Sequence, residues 1–154
     1  MPLSGSSLIT PFLWFDSNAQ DAAEFYCSIF PNSRILTELP DTRDPSAPKP
    51  LTVSFELDGL PFVALNGGPH FKFNEAVSFV VTCHSQQEID SYWTQLTASG
   101  GSESQCGWLK DKFGLSWQIV PAQLGSLLKH PAAMQAMLKM KKLDITELER
   151  AATS

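Results

Sequence analysis

Hydrophobic and polar residues alternate along this chain in two rhythms, and both recur. In residues 51–57 (LTVSFEL), Leu51, Val53, Phe55 and Leu57 fall on one side and Thr52, Ser54 and Glu56 on the other. That period of two marks a strand with one buried face. Asp58-Gly59 follows, a dipeptide suited to a two-residue hairpin turn, and residues 61–66 read as the returning strand. The same figure returns over residues 108–120 (WLKDKFGLSWQIV). With Gly114 set on Gly59, Leu115 falls on Leu60, Trp117 on Phe62, Ile119 on Ala64 and Val120 on Leu65. A hairpin that occurs twice predicts a duplicated unit.

The segments before each hairpin repeat as well. Residues 9–15 (ITPFLWF) form a short apolar run, read as a buried strand. Asn18 is positioned to cap a helix, with Asp21 in its first turn and an apolar face of Ala19, Ala22, Ala23, Tyr26 and Phe30. Pro31-Asn32 ends that helix, residues 33–39 give another strand, and residues 40–50, with four prolines, give a loop. In the second half, residues 76–83 (AVSFVVTC) read as a strand and Ser85 with Glu88 as a capping box. Ile89, Trp93 and Leu96 give the next helix its apolar stripe, Ser99-Gly100-Gly101 ends it, and residues 102–107 give a weak strand. At an offset of 67 residues, Phe12 lies on Phe79, Trp14 on Val81, Asn18 on Ser85 and Tyr26 on Trp93. Each half reads βαβββ.

These elements predict an α+β fold. The first module covers residues 9–67, the second residues 76–121, and Gly67-Gly68-Pro69 links them. Residues 1–8 are expected to be a flexible N-terminus and residues 122–154 a helical extension. In that extension Pro121 and Pro131 sit as first helical residues and Asp144 with Glu147 starts a further helix. By strand parity Ser54, Glu56, Ser78, Thr82 and Gln118 share one face, while Phe12, Trp14, Phe79 and Trp117 fall on the other, beneath the helices.

Composition narrows the function classes. A hydrophobic content of 43% against 18% charged residues supports a sizeable core in a chain of 154 residues. The net charge of -5 argues against nucleic acid as a partner, which would require a basic face. No apolar run reaches membrane-span length, and MPLSGSS lacks the charged and apolar regions of a secretory signal. Cys27, Cys83 and Cys106 are an odd number without metal-type spacing, as expected for free thiols in a cytoplasmic protein.

Taken together, the segments ITPFLWFDSNAQDAAEFY, LNGGPHFKFNEAVSFVV, QQEIDSYW and CGWLKDKFGLSWQIVP resemble the vicinal oxygen chelate superfamily, which includes glyoxalase I, the bleomycin- and fosfomycin-resistance proteins and the extradiol dioxygenases. Within it the chain is similar to the PhnB-like family, commonly named 3-demethylubiquinone-9 3-methyltransferase. The resemblance implies curved mixed sheets around a cavity, commonly within a homodimer. It also implies metal-ligand positions on the first and last strand of each module, which here carry Pro11, Val63, Ser78 and Gln118. A divalent metal needs carboxylate, imidazole or thiolate donors, so no metal and no cofactor is expected. A nucleotide-type methyl-donor site would place a glycine-rich turn before a helix, whereas Gly67-Gly68 runs into Pro69.

The expected site is therefore a patch for a small molecule of unidentified structure, drawn from Ser54, Glu56, His70, Ser78, Thr82, Cys106, Trp108 and Gln118. Trp108 could stack on the ligand. His70 lies near Phe71 and Phe73, with no visible carboxylate or nucleophile as a partner. Cys106 has Lys110 nearby in sequence as a possible activating cation. The alternative is a superfamily enzyme, a lyase, isomerase or transferase with a relocated site including Glu56, His70 or Cys106. A third reading is a homodimer with no ligand.

Overall fold

The computed structural model describes residues 7–154, so the flexible N-terminus expected over residues 1–8 lies almost wholly outside the described residues. Two compact units meet in sequence between Lys72 and Phe73. Each carries the same mixed sheet.

In the first unit the elements are β1 (Phe12–Phe15), α1 (Ala19–Ile29), β2 (Arg34–Leu39), β3 (Thr52–Leu57) and β4 (Leu60–Asn66). The strand order is β1-β4-β3-β2, with β1 parallel to β4 and the rest antiparallel. Asp58 (φ 49°) and Gly59 (φ 78°) both adopt positive φ between β3 and β4, the turn that the Asp-Gly pair favours. α1 covers one face of the sheet. Its Tyr26 stacks on Phe55 at 6.3 Å, and Phe55 stacks on its register partner Phe62 at 5.4 Å. Ala19, Ala22 and Ala23 are fully buried, and their short side chains bring the helix close to the strands.

The expected cap of α1 is corrected. The Asn18 side chain makes no capping bond. Asn66, at the end of β4, accepts the Ala19 N–H at 2.9 Å and donates to the Pro50 carbonyl at 2.9 Å. The helix start is thus held by a residue 47 positions away, a device invisible to local spacing.

The second unit contains β5 (Ser78–Cys83), α2 (Gln86–Thr97), β6 (Ser102–Glu103), β7 (Trp108–Lys110) and β8 (Ser116–Pro121), then α3 (Leu124–Leu127), α4 (Pro131–Met137) and α5 (Ile145–Ala152). The sheet order β5-β8-β7-β6 repeats that of the first unit. Ser85 Oγ accepts the Glu88 N–H at 3.1 Å, while the Glu88 carboxylate reaches back to the His84 N–H at 3.0 Å. Pro131 opens α4 and Asp144 caps α5, as the sequence suggests. Pro121 instead closes β8 opposite Cys83, where a missing N–H at a strand end costs little.

The hairpin between β7 and β8 is organised by Asp111, which is buried. Its Oδ1 accepts the Phe113 and Leu115 N–H groups at 2.8 and 3.1 Å, and its Oδ2 accepts the Trp117 indole N–H at 2.9 Å. The C-terminal extension is tied to α2 by Gln86. Its side-chain amide donates to the Leu143 carbonyl at 3.0 Å and accepts from the Ile145 N–H at 2.8 Å. Leu143 and Leu148 are fully buried in consequence. Cys27, Cys83 and Cys106 are free thiols.

The register corrects the assignment of the aromatic residues. Phe12 pairs with Val63 and Trp14 with Leu65, so both project from the first sheet on the face away from α1, with Ser54 and Glu56. Val80 pairs with Gln118 and Phe79 with Trp117. Phe12 therefore corresponds to Val80, not Phe79. The cause is a loop: Asp16 and Ser17 separate β1 from the α1 cap, but only His84 separates β5 from Ser85. A slip of one residue exchanges the two faces of a strand. Phe79 and Trp117, 5.7 Å apart, do lie on the helix-covered face.

Candidate functional site

The far face of the second sheet gathers most of the polar residues expected there. Strand pairing aligns Ser78, Ser116, Lys110 and Ser102 in one row across β5, β8, β7 and β6. The next row holds Val80, Gln118 and Trp108. Gln118 Nε2 donates to Ser78 Oγ at 2.8 Å, joining the rows. Thr82 lies on the same face beyond them, opposite Val120. Directly opposed side chains sit close enough to act on one ligand.

Toward the β6 edge this face deepens into a cavity of about 240 Å³. Its walls include Trp108, Lys110, Ser102, Ser104 and Glu75. Ser116 lines it as well. The residue has 0% exposure, and its Oγ is the one buried side-chain polar atom among the described residues that lacks a hydrogen-bond partner. Lys110 Nζ forms an ion pair with Glu75, whose side chain is 61% exposed. The hydrogen bond from Lys110 holds the Glu75 carboxyl below its ordinary range. Glu103, also on the rim, accepts the Trp93 indole N–H at 2.7 Å. A larger hollow of about 540 Å³ in the first unit is formed by the proline-rich loop of residues 40–50. It contains none of the residues expected at the site and no unpartnered buried polar side chain among the described residues.

The other expected residues are placed differently. Ser54 is buried on the far face of the first sheet, opposite Val63. Glu56 accepts a 2.7 Å ion pair from Arg34. His70 is exposed, with its ring 6.5 Å from that of Trp14. Trp14 packs on the following segment: its indole donates to the Gly68 carbonyl at 2.9 Å, and a Cβ at Gly67 would fall 2.4 Å from its ring. Cys106 adopts φ 60° in the turn before β7, where its N–H donates to the Met140 carbonyl at 2.8 Å. Lys110, proposed from sequence as its cation, is engaged by Glu75. Sequence reasoning passed over Ser116, Glu75 and Ser102. The strand period could have found Ser116, which is two residues before Gln118.

The donor set does not suit a catalytic metal. Val63 is fully buried and aliphatic, and its N–H bonds the Pro11 carbonyl at 3.0 Å. Ser78 and Gln118 are neutral, and Gln118 Nε2 donates to Ser78 Oγ. The first-strand residues that pair with Val63 and Gln118 are Phe12 and Val80, which supply no donor. Among the described residues no group of three or more His, Cys, Asp or Glu is arranged to hold a metal ion.

Comparison with known proteins supplies a family. Residues 7–120 match the sequence model described as 3-demethylubiquinone-9 3-methyltransferase. The PhnB protein of Bacillus cereus is 30% identical in sequence, with a TM-score of 0.68 over 75% of this chain and 100% of that one. A protein from Pseudomonas aeruginosa is 20% identical, with a TM-score of 0.62 over 75% and 98%. FosX, a fosfomycin resistance protein of Listeria monocytogenes whose structure was solved with Mn(II) and sulfate, is 16% identical, with a TM-score of 0.56 over 82% and 98%. At that identity FosX shares the fold alone. A search of curated proteins finds no match.

Proposed function

The chain belongs to the 3-demethylubiquinone-9 3-methyltransferase family, a PhnB-like group of the vicinal oxygen chelate superfamily, and on that premise we propose that it binds a small organic molecule without a metal, as a homodimer in the cytoplasm. The observation that carries this reading is the Gln118–Ser78 hydrogen bond beside Trp108. Around Gln118 this face offers neutral hydrogen-bonding groups and an aromatic plane in place of the carboxylate, imidazole or thiolate donors that a metal needs. Such a mixture of apolar surface and a few polar groups suits a small organic ligand. Apolar exposure supports the dimer: Val77 and Val80 are 62% and 56% exposed at the β5 edge of the second sheet. The three free thiols fit a reducing compartment, and no helix among the described residues is long and apolar enough to cross a membrane.

The alternative is an enzyme of the superfamily that uses Glu56, His70 or Cys106, including the methyl transfer in the family's description. It has less support. Glu56 pairs with Arg34 in the first unit, and Cys106, at φ 60° in the turn before β7, is not among the residues that line the cavity.

Native mass spectrometry of the protein, purified without chelator, tests the proposal. The expected spectrum is a dimer without metal, carrying an added organic mass. A stoichiometric divalent metal would overturn the metal-free reading, and a monomer at high concentration would overturn the dimer.

A further inference from the structure

We infer that the cavity at the β6 edge of the second sheet is an oxyanion subsite, and that the ligand of this face bears a carboxylate or similar anionic group which displaces Glu75 from Lys110. This deepens the binding proposal above and rests on it. The argument begins with Ser116. A buried hydroxyl without a partner forgoes a hydrogen bond that water would supply, so it is retained only where something else offsets the loss. It lines the cavity beside Lys110, its register partner, and in the same row as Ser102. An ammonium group and serine hydroxyls are donors, and donors converging on one hollow suit an acceptor with several oxygens.

One carboxylate already occupies part of that role. Glu75 reaches Lys110 from the segment preceding β5, but its side chain is mostly exposed. Exposed ion pairs are weak and exchange readily. A ligand carboxylate that takes the place of Glu75 could meet Lys110 and Ser116 together, whereas Glu75 pairs with Lys110 and leaves the Ser116 hydroxyl unpartnered. Trp108 walls the same cavity and offers its ring to a flat body joined to the anion. The volume of about 240 Å³ admits a single aromatic ring with a carboxylate, not a nucleotide.

Benzoate is a suitable probe, with benzamide as its neutral isostere. Each is titrated into the full-length protein while the Trp108 indole N–H resonance is followed, assigned with Trp108→Phe. The expected result is that benzoate shifts this resonance at concentrations at least about tenfold below those at which benzamide does, and that Lys110→Met abolishes the preference. Glu75→Gln, an exposed and nearly isosteric change, removes the competing carboxylate and is expected to tighten benzoate binding about two- to fivefold. Equal shifts by the two probes would overturn the oxyanion subsite and leave the wider binding proposal standing. No shift by either would overturn the oxyanion subsite, while the wider binding proposal stands or falls on the native mass spectrum. Unchanged or weaker benzoate binding by Glu75→Gln would exclude Glu75 as the displaced group and so overturn the inference as stated.

Discussion

Gln118 Nε2 donates a 2.8 Å hydrogen bond to Ser78 Oγ, joining the last and first strands of the second sheet on the face turned away from α2. The pair is partly buried, and Gln118 stands opposite Trp108. Replacing Gln118 by Val removes the bond and leaves the Ser78 hydroxyl facing apolar surface. A loss of about 1 kcal/mol is expected in urea unfolding, with the slope unchanged. Ser78→Ala should cost a similar amount. The double variant should lose less than the two single losses added together, since both remove the same bond.

Asp111 and Trp117 make a second test, of the hairpin rather than the face. A buried carboxylate here accepts two backbone N–H groups and one indole N–H. Asp111→Asn keeps the shape but presents N–H to N–H at one of its oxygens. A destabilisation of about 2–3 kcal/mol is expected, because hydrogen bonds to a charged acceptor are the stronger kind and a buried donor is left unmatched. Trp117→Phe should cost less in combination with Asp111→Asn than alone. Equilibrium unfolding of the four proteins measures both effects.

Gln86 fastens the C-terminal extension to α2 through both atoms of its amide. Gln86→Ala should unmake both bonds at a cost of about 1–3 kcal/mol, felt locally at first. Faster amide exchange is expected for Ile145, whose N–H donates to Gln86, while the amides of β8 keep their protection. Uniform loss of protection through the second unit would contradict a local tether.

Cys83 gives the pH dependence. Burial, then the nearby Glu88 carboxylate, raises its pKa to about 11. The native state therefore disfavours the thiolate more than the unfolded chain does. Stability from this group is intact below the ordinary thiol range of about 8.5, and it falls as pH rises from there to about 11. Chemical denaturation between pH 7 and 11 should show this decline, and Cys83→Ala should reduce it. For the same reason Cys83 should alkylate last of the three thiols at pH 8.

The duplicated topology was legible because it rests on local signals: a period of two, a turn dipeptide and helix caps. Asp58-Gly59 and the Ser85–Glu88 box behave as their sequences suggest. What the sequence concealed is non-local. Asn66 caps α1 from another strand, and Asp111 gathers three donors around its hairpin. The faces of Phe12 and Trp14 were misread because one residue in a loop, uncounted by an offset of 67, reverses strand parity. Gln118 and Ser78 could be placed together from strand parity alone. Glu75 could not, because it meets Lys110 from an irregular segment with no period to read.

The proposed function requires that Gln118 and Ser78 bind to each other and not to a metal. Its most direct test is a titration of Mn(II) into isotope-labelled protein, followed through the Gln118 side-chain amide resonances, because a paramagnetic ion at that position would broaden them first. These resonances are expected to remain sharp at equimolar Mn(II), with any broadening confined to exposed carboxylates such as Asp44 and Glu149. Selective loss of the Gln118 resonances at substoichiometric Mn(II) would contradict it and return the chain to the metal enzymes of its superfamily.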